Sequence, residues 1–265
     1  MKCCCCGNLN SGVMAAVLVA VLSGTVLTYA GQPEKKKETP VQPAAQPAAK
    51  PTHGDPVINT LTDAEKKAGW VLLFDGKSME HFKGFKTDAV PASWEAQNGT
   101  LHAKGSGGDI LTKHQYKDFE FACEWKVPEG GNSGIIYRVA EEGGATYETG
   151  PEFQVLDNAK HKDKADPKTT AGALYGLYAP TKDMTKPAGE WNTAKIVVKG
   201  TKVEHWWNGE KVVDADMGSE EFKKLVAGSK FNAWKGFAVQ PKGFIALQDH
   251  GDQVWYRNIK IREIK

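Results

Sequence analysis

Cysteine is nearly missing from most of this chain. Of 265 residues five are cysteine, and four of these form one run, Cys3-Cys4-Cys5-Cys6. Only Cys123 lies beyond it. The rest of the chain therefore has no internal disulfide and rests on an ordinary core. The run has no metal-site spacing, because adjacent cysteines do not easily wrap one tetrahedral ion. Acylation would require the segment to be retained; the plainer reading is an incidental feature of a removed segment.

An excess of one charge is missing too. Of 34 basic and 32 acidic residues, five and three precede residue 61, leaving 29 of each. A formally neutral body argues against nucleic acid as a partner, since that surface needs a basic excess. Long apolar runs are absent save one, VMAAVLVAVLSGTVLTYA at 13–30, whose 18 residues sit near the lower limit for a bilayer span. It follows a short N-terminal region and ends at Thr28-Tyr29-Ala30, which reads as a signal peptide over residues 1–30. The rival is an uncleaved anchor, because only Lys2 precedes the run and Lys35, Lys36 and Lys37 follow it. Both readings export the remainder, to the periplasm or beyond, and leave this segment as the sole membrane contact. Residues 31–60 are rich in Pro, Ala, Gln and Lys and too poor in large apolar side chains to fold, so they form a linker.

What is present is aromatic and extended. All eight tryptophans and all ten phenylalanines follow residue 61, giving one domain at 61–265. The dominant pattern is period-2 alternation broken by Gly and Asn-Gly. Residues 93–104 and 202–213 read as hairpins turning at Asn98-Gly99 and Asn208-Gly209, since both residue types tolerate positive φ. In 118–127, Phe119, Phe121, Cys123, Trp125 and Val127 share a face. Residues 191–200 and 253–264 continue the pattern, and Trp255, Arg257, Ile259 and Ile261 share a parity. That places Arg257 on an apolar face in need of an ion partner. Helix is confined to 62–69, with a Thr62/Glu65 capping box, and 219–228, between Ser219 and Gly228. About a dozen strands and two small helices predict an all-β jelly-roll sandwich of two antiparallel sheets.

Three strands carry an unusual polar face. Alternation sets Ile136 and Arg138 together in 132–139, Glu152 and Gln154 together in 151–157, and Gln248 with His250 in 243–251. An ordinary solvent face carries Lys, Glu, Thr and Ser. These residues offer directional hydrogen bonds instead, so a shared sheet would give them a functional face. Unrelated surface positions are the bland alternative.

GWVLLFDGKSMEHF (69–82), GNSGIIYRV (131–139), GPEFQVLDN (150–158), GALYGLY (172–178), GEWN (189–192), WNGEKV (207–212) and GFIALQDHGDQVWYRNIKI (243–261) occur in this order. Together they resemble the bacterial 3-keto-disaccharide hydrolase family over residues 61–265. The resemblance implies a concanavalin A-like, lectin/glucanase-type sandwich acting on glycosides whose C3 hydroxyl is already a ketone. Such a ketone acidifies the C2 proton, and the enolate formed on its loss can expel the C1 group. Water then completes a net hydrolysis. The site needs a base, a positive group for the C3 oxygen and an acid for the leaving group.

His250 is the first choice for the base, imidazole being the side chain that titrates near neutrality, and Glu152 the second. Arg138 is the candidate for the enolate oxygen, with a charge it never loses. Gln154 and Gln248 suit sugar hydroxyls. Tyr175, Glu190 and Trp191 are further candidates at the cleft. A divalent metal is expected to draw on Glu152 and His250 with Asp157 or Asp249; no organic cofactor is expected. Asn132, Ser133 and Gly134 read as a tight strand entry, and the charged stretch 160–166 as a loop beside the site. Two other readings stay open. A conventional glucanase would use Glu152 and Asp157 as its carboxylate pair, although Gln154 replaces the middle acid of the laminarinase pattern. A non-catalytic lectin-like module would bind sugar alone.

Overall fold

A computed structural model describes residues 58–265. The signal or anchor segment, the Cys3–Cys6 run and the linker to residue 57 lie outside the described residues. The folded body takes in Asn59, which is buried and exchanges two hydrogen bonds with Asn258, amide to side-chain oxygen each way. No described helix is long and apolar enough to cross a membrane.

Alternation builds thirteen strands here. In chain order they are β1 (Val71–Leu72), β2 (Phe82–Gly84), β3 (Trp94–Gln97), β4 (Thr100–Ala103), β5 (Ile110–Thr112), β6 (Phe119–Lys126), β7 (Asn132–Val139), β8 (Glu152–Leu156), β9 (Asn192–Lys199), β10 (Lys202–Trp207), β11 (Glu210–Asp216), β12 (Phe244–Leu247) and β13 (Val254–Glu263). The helices are α1 (Asp63–Lys67) and α2 (Glu220–Ala227). The capping box at Thr62 forms, with Glu65 reaching back to the Thr62 amide. Both predicted hairpins form. Asn98-Gly99 and Asn208-Gly209 each have two positive φ values, the turn whose twist suits paired strands.

All pairings are antiparallel. The larger sheet runs β11-β10-β9-β6-β13-β4-β3, with β1 also on β13. The smaller runs β2-β5-β12-β7-β8. Between them lies one core in which Trp125, Trp207, Tyr137, Tyr256, Phe119, Phe121 and Phe153 are fully buried. On β6 the inward set is the predicted one, from Phe119 to Trp125.

Two expected parities are corrected. On β13 Asn258 adopts φ 52 and breaks the pairing register between Arg257 and Lys260. The inserted residue puts Tyr256 and Ile259 in the core and turns Trp255 and Arg257 outward. Arg257 does find an ion partner, Glu124 at 2.7 Å, and stacks on Trp191. On β7 Arg138 adopts φ 53, beside a register shift against β12. Val139 thereby joins Ile136 on the outer face, and Arg138 leaves it.

Candidate active site

The three strands do share one sheet, the smaller, and without Arg138 their polar residues gather on its side away from the core. β8 contributes Glu152 and Gln154, β7 contributes Asn132, and Gln248 and His250 follow β12. Loops complete a cavity of about 390 Å³ with Tyr147, Tyr175, Lys230, Phe231 and Trp234. Phe153, Val155, Ile245 and Leu247 point the other way, into the core, so strict alternation aims the site residues.

Glu152 is 8% exposed. Its neighbour on β7 is Gly134, where an added Cβ would stand 2.2 Å from Glu152 Oε1. The glycine therefore makes the room that the carboxyl occupies. Burial pushes Glu152 up from 4.5 to about 8; Lys230 opposes that shift, while Asp109 and Asp163 add to it. At neutral pH it is chiefly a protonated acid that can donate a proton.

Around it stand three buried amide oxygens with no hydrogen-bond partner: Asn132 Oδ1, Gln154 Oε1 and Gln248 Oε1. Buried acceptors are rarely left so, and three lining one cavity define a place for a ligand rich in donors. Gln154 is oriented by its own Nε2, which donates to the Thr169 carbonyl at 3.2 Å. The charged stretch 160–166 lines no part of the cavity; it holds Thr169, whose hydroxyl donates to the Asp163 and Asp166 carbonyls. Aromatic rings form the rim. Tyr147 lies 5.5 Å from Trp234, and the Lys230 ammonium lies 4.4 Å over Tyr175. A larger hollow of about 910 Å³ lies elsewhere, lined by Lys67, His114, Glu120 and Arg262 among others. None of its lining residues holds an unpartnered buried polar atom, so the smaller cavity is the better candidate.

Several expected site residues are not in this cavity. Arg138 is carried away by its bulge; it donates to the Lys117 and Gly200 carbonyls and pairs with Asp118 at 3.6 Å. Asp157 accepts from the Gly130 and Ala159 amides and holds a turn. Asp249 accepts from the amides of Ser106, Gly107 and Gly251. Trp191 lies on the outer face of the larger sheet, against Lys126 and Arg257, and Glu190 is exposed beside it. Asp157 therefore supplies no second carboxylate for a conventional glucanase pair. The metal set loses Asp157 and Asp249 in the same way. Only Glu152 and His250 of the four line the cavity, and no described group of three or more His, Cys, Asp or Glu suits an ion. The four-residue ligand set expected from the sequence is therefore not assembled in the cavity.

Sequence reasoning missed Asn132, Tyr147, Lys230, Phe231 and Trp234. Asn132 was hidden by its place at a strand start. The others come from two short 3-10 turns, Thr146–Glu148 and Lys230–Ala233, and the residue after the second; their placement depends on contacts far away in the chain, such as Ala238 N to Thr149 O at 2.8 Å.

A two-sheet β-sandwich with an acid, amides, an imidazole and aromatic rings gathered on one sheet face defines a carbohydrate-active enzyme. Comparison with known proteins agrees. Residues 69–262 match the model of the 3-keto-alpha-glucoside-1,2-lyase-like domain. A 3-keto-disaccharide hydrolase of Bacteroides thetaiotaomicron is 37% identical over 227 residues, 73% of this chain and 78% of that protein. A solved Parabacteroides distasonis protein, assigned as a glycosyl hydrolase, superposes with TM-score 0.75 at 33% identity, over 78% of this chain and all of that one. A second from that organism gives 0.61 at 31%, over 74% and 99%. The chain belongs to the 3-keto-alpha-glucoside-1,2-lyase-like family and is an enzyme that cleaves glycosidic bonds.

Proposed function

We propose that this protein cleaves 3-keto-glycosides by removing the C2 proton and eliminating the C1 group, with water then adding to C1. The carrying observation is the set of three unpartnered amide oxygens beside a buried, protonated Glu152. The amides of Asn132, Gln154 and Gln248 accept from ring hydroxyls. His250 takes the C2 proton. The Lys230 ammonium, with no carboxylate bonded to it among the described ion pairs, faces the negative charge that develops on the C3 oxygen and takes the place expected of Arg138. Glu152 donates its proton to the departing oxygen, a role for which a carboxyl held neutral at pH 7 is suited. The Bacteroides relative's name supports the oxidised substrate. The apolar run at 13–30 supports an exported enzyme.

The test compares 4-nitrophenyl glucoside with its 3-keto derivative. Nitrophenol release is expected from the keto compound alone, with a primary isotope effect when C2 carries deuterium. Comparable turnover of the unoxidised compound would sink the proposal.

A further inference from the structure

Tyr147 is a shared wall. Besides the candidate active site it lines a second hollow of about 350 Å³, bordered by Phe85, Thr87, Pro91, Asp109 and Thr146. Tyr147 is 42% exposed, which is uncommon among the described large hydrophobic residues. A carboxylate of the second hollow is linked toward the first. Asp109 accepts from the Thr146 hydroxyl, and its other oxygen takes the Asp249 amide at 2.9 Å. Asp249 in turn holds the Ser106 and Gly107 amides and directly precedes His250. Gly108 also borders the hollow, and a Cβ there would meet nothing within 4 Å. Phe85 and Pro91 supply flat apolar surface, and Thr87 a hydroxyl.

Glu152 and His250 both belong to the first cavity, so the ring that reacts at C1 and C2 sits there. Each space lies near the lower end of ligand-site volumes, about 300 Å³, and holds one small ring better than two. We propose that the second hollow is the leaving-group subsite and that it takes a second sugar ring, stacked between Tyr147 and Phe85 and bonded at Thr87. Residues 85–91 and 144–147 then select for disaccharides over glycosides with a small C1 group. This rests on the elimination reading for which ring is which.

The test uses the full chain, a 3-keto-disaccharide (oxidised maltose and oxidised cellobiose) and the methyl 3-keto-glucoside of the same anomer. Affinities are read by calorimetry in the Glu152→Gln background, and kcat/KM in the wild type. The disaccharide should bind about tenfold tighter than the methyl glycoside. Thr87→Trp, which fills the hollow from an exposed position, and Phe85→Ala, which strips its wall, should each erase that ratio. Equal affinities in the parent, or a ratio that survives Thr87→Trp, overturn the subsite. If the affinity ratio responds as expected while neither keto compound is turned over, the hollow stands as a second-sugar site, and both its leaving-group assignment and the elimination reading fall. If both compounds are turned over with equal kcat/KM that Thr87→Trp does not alter, the subsite falls and elimination stands. Absence of binding by any of these compounds overturns both.

Discussion

Glu152 sits where ionisation is costly and no bonded cation offsets it. Its carboxyl is raised from 4.5 to about 8 by burial. The folded chain therefore keeps a proton that the unfolded chain releases between those two values. Stability falls as pH rises through that window, by about 1.4 kcal/mol per pH unit, and levels off above it. Glu152→Gln removes the group that must ionise. Its gain in Tm over the wild type is expected to be near zero at pH 4 and to reach its full size by pH 8. Thermal scans across that range decide the point; a constant offset would show that Glu152 ionises freely in the fold. The same substitution removes the proton donor, so activity should fall while stability rises.

Among the elements, β7 has the densest duties, and two glycines show why. At Gly134 an added Cβ would strike Glu152 Oε1 and Cδ, the end of a side chain that can move. At Gly243 it would stand 2.4 Å from the Arg138 carbonyl carbon and 2.6 Å from the Val139 oxygen, backbone that cannot move. Gly134→Ala should therefore cost activity, about tenfold or more in kcat/KM through a displaced acid, with little change in Tm. Gly243→Ala should instead destabilise by roughly 1–3 kcal/mol, as overpacking does. Paired melting and rate measurements separate the two; equal losses of Tm would refute the distinction. The bulge beside Gly243 also marks where the sequence stopped being legible. Period-2 reading placed Glu152, Gln154 and Gln248 because β8 and β12 are regular there. It misplaced Arg138 because arginine gives no signal for positive φ, and one left-handed residue flips every side chain beyond it. It misplaced Arg257 for the same reason, through Asn258. Asp157 and Asp249 looked like ligands because backbone amides, their actual partners, leave no trace in composition. Lys230 and Trp234 arrive from a loop, and no local pattern reports a loop's destination.

For the molecule as a whole, the two sheets are tied through their core by His205. Its ring meets the Tyr137 hydroxyl of the smaller sheet at 3.1 Å and the Gly172 carbonyl at 3.1 Å, below Tyr175 in the chain. Burial depresses it from 6.5 to about 4. The unfolded chain thus binds a proton that the folded chain refuses between those values, and stability is lost as pH falls from 6.5 to 4. Glu152 slopes the opposite way from 4.5 upward. Between pH 4.5 and 6.5 the two slopes cancel, and above 6.5 only the Glu152 loss remains. The wild type is expected to show a flat Tm over that shared window and a decline on its alkaline side, whereas Glu152→Gln should climb to pH 6.5 and then stay level. Differential scanning across pH 4 to 9 checks both profiles, and a wild-type maximum above pH 7 would contradict the pairing. The eight tryptophans are unevenly shared out. Trp94, Trp125 and Trp207 are sealed in the core, and Trp70, Trp191, Trp206 and Trp255 lie against cations on the larger sheet's outer face. Trp234 alone borders the cavity. The enzyme therefore carries its own optical probe: a sugar arriving at the site perturbs the fluorescence of one indole, and occupancy can be followed in unlabelled protein.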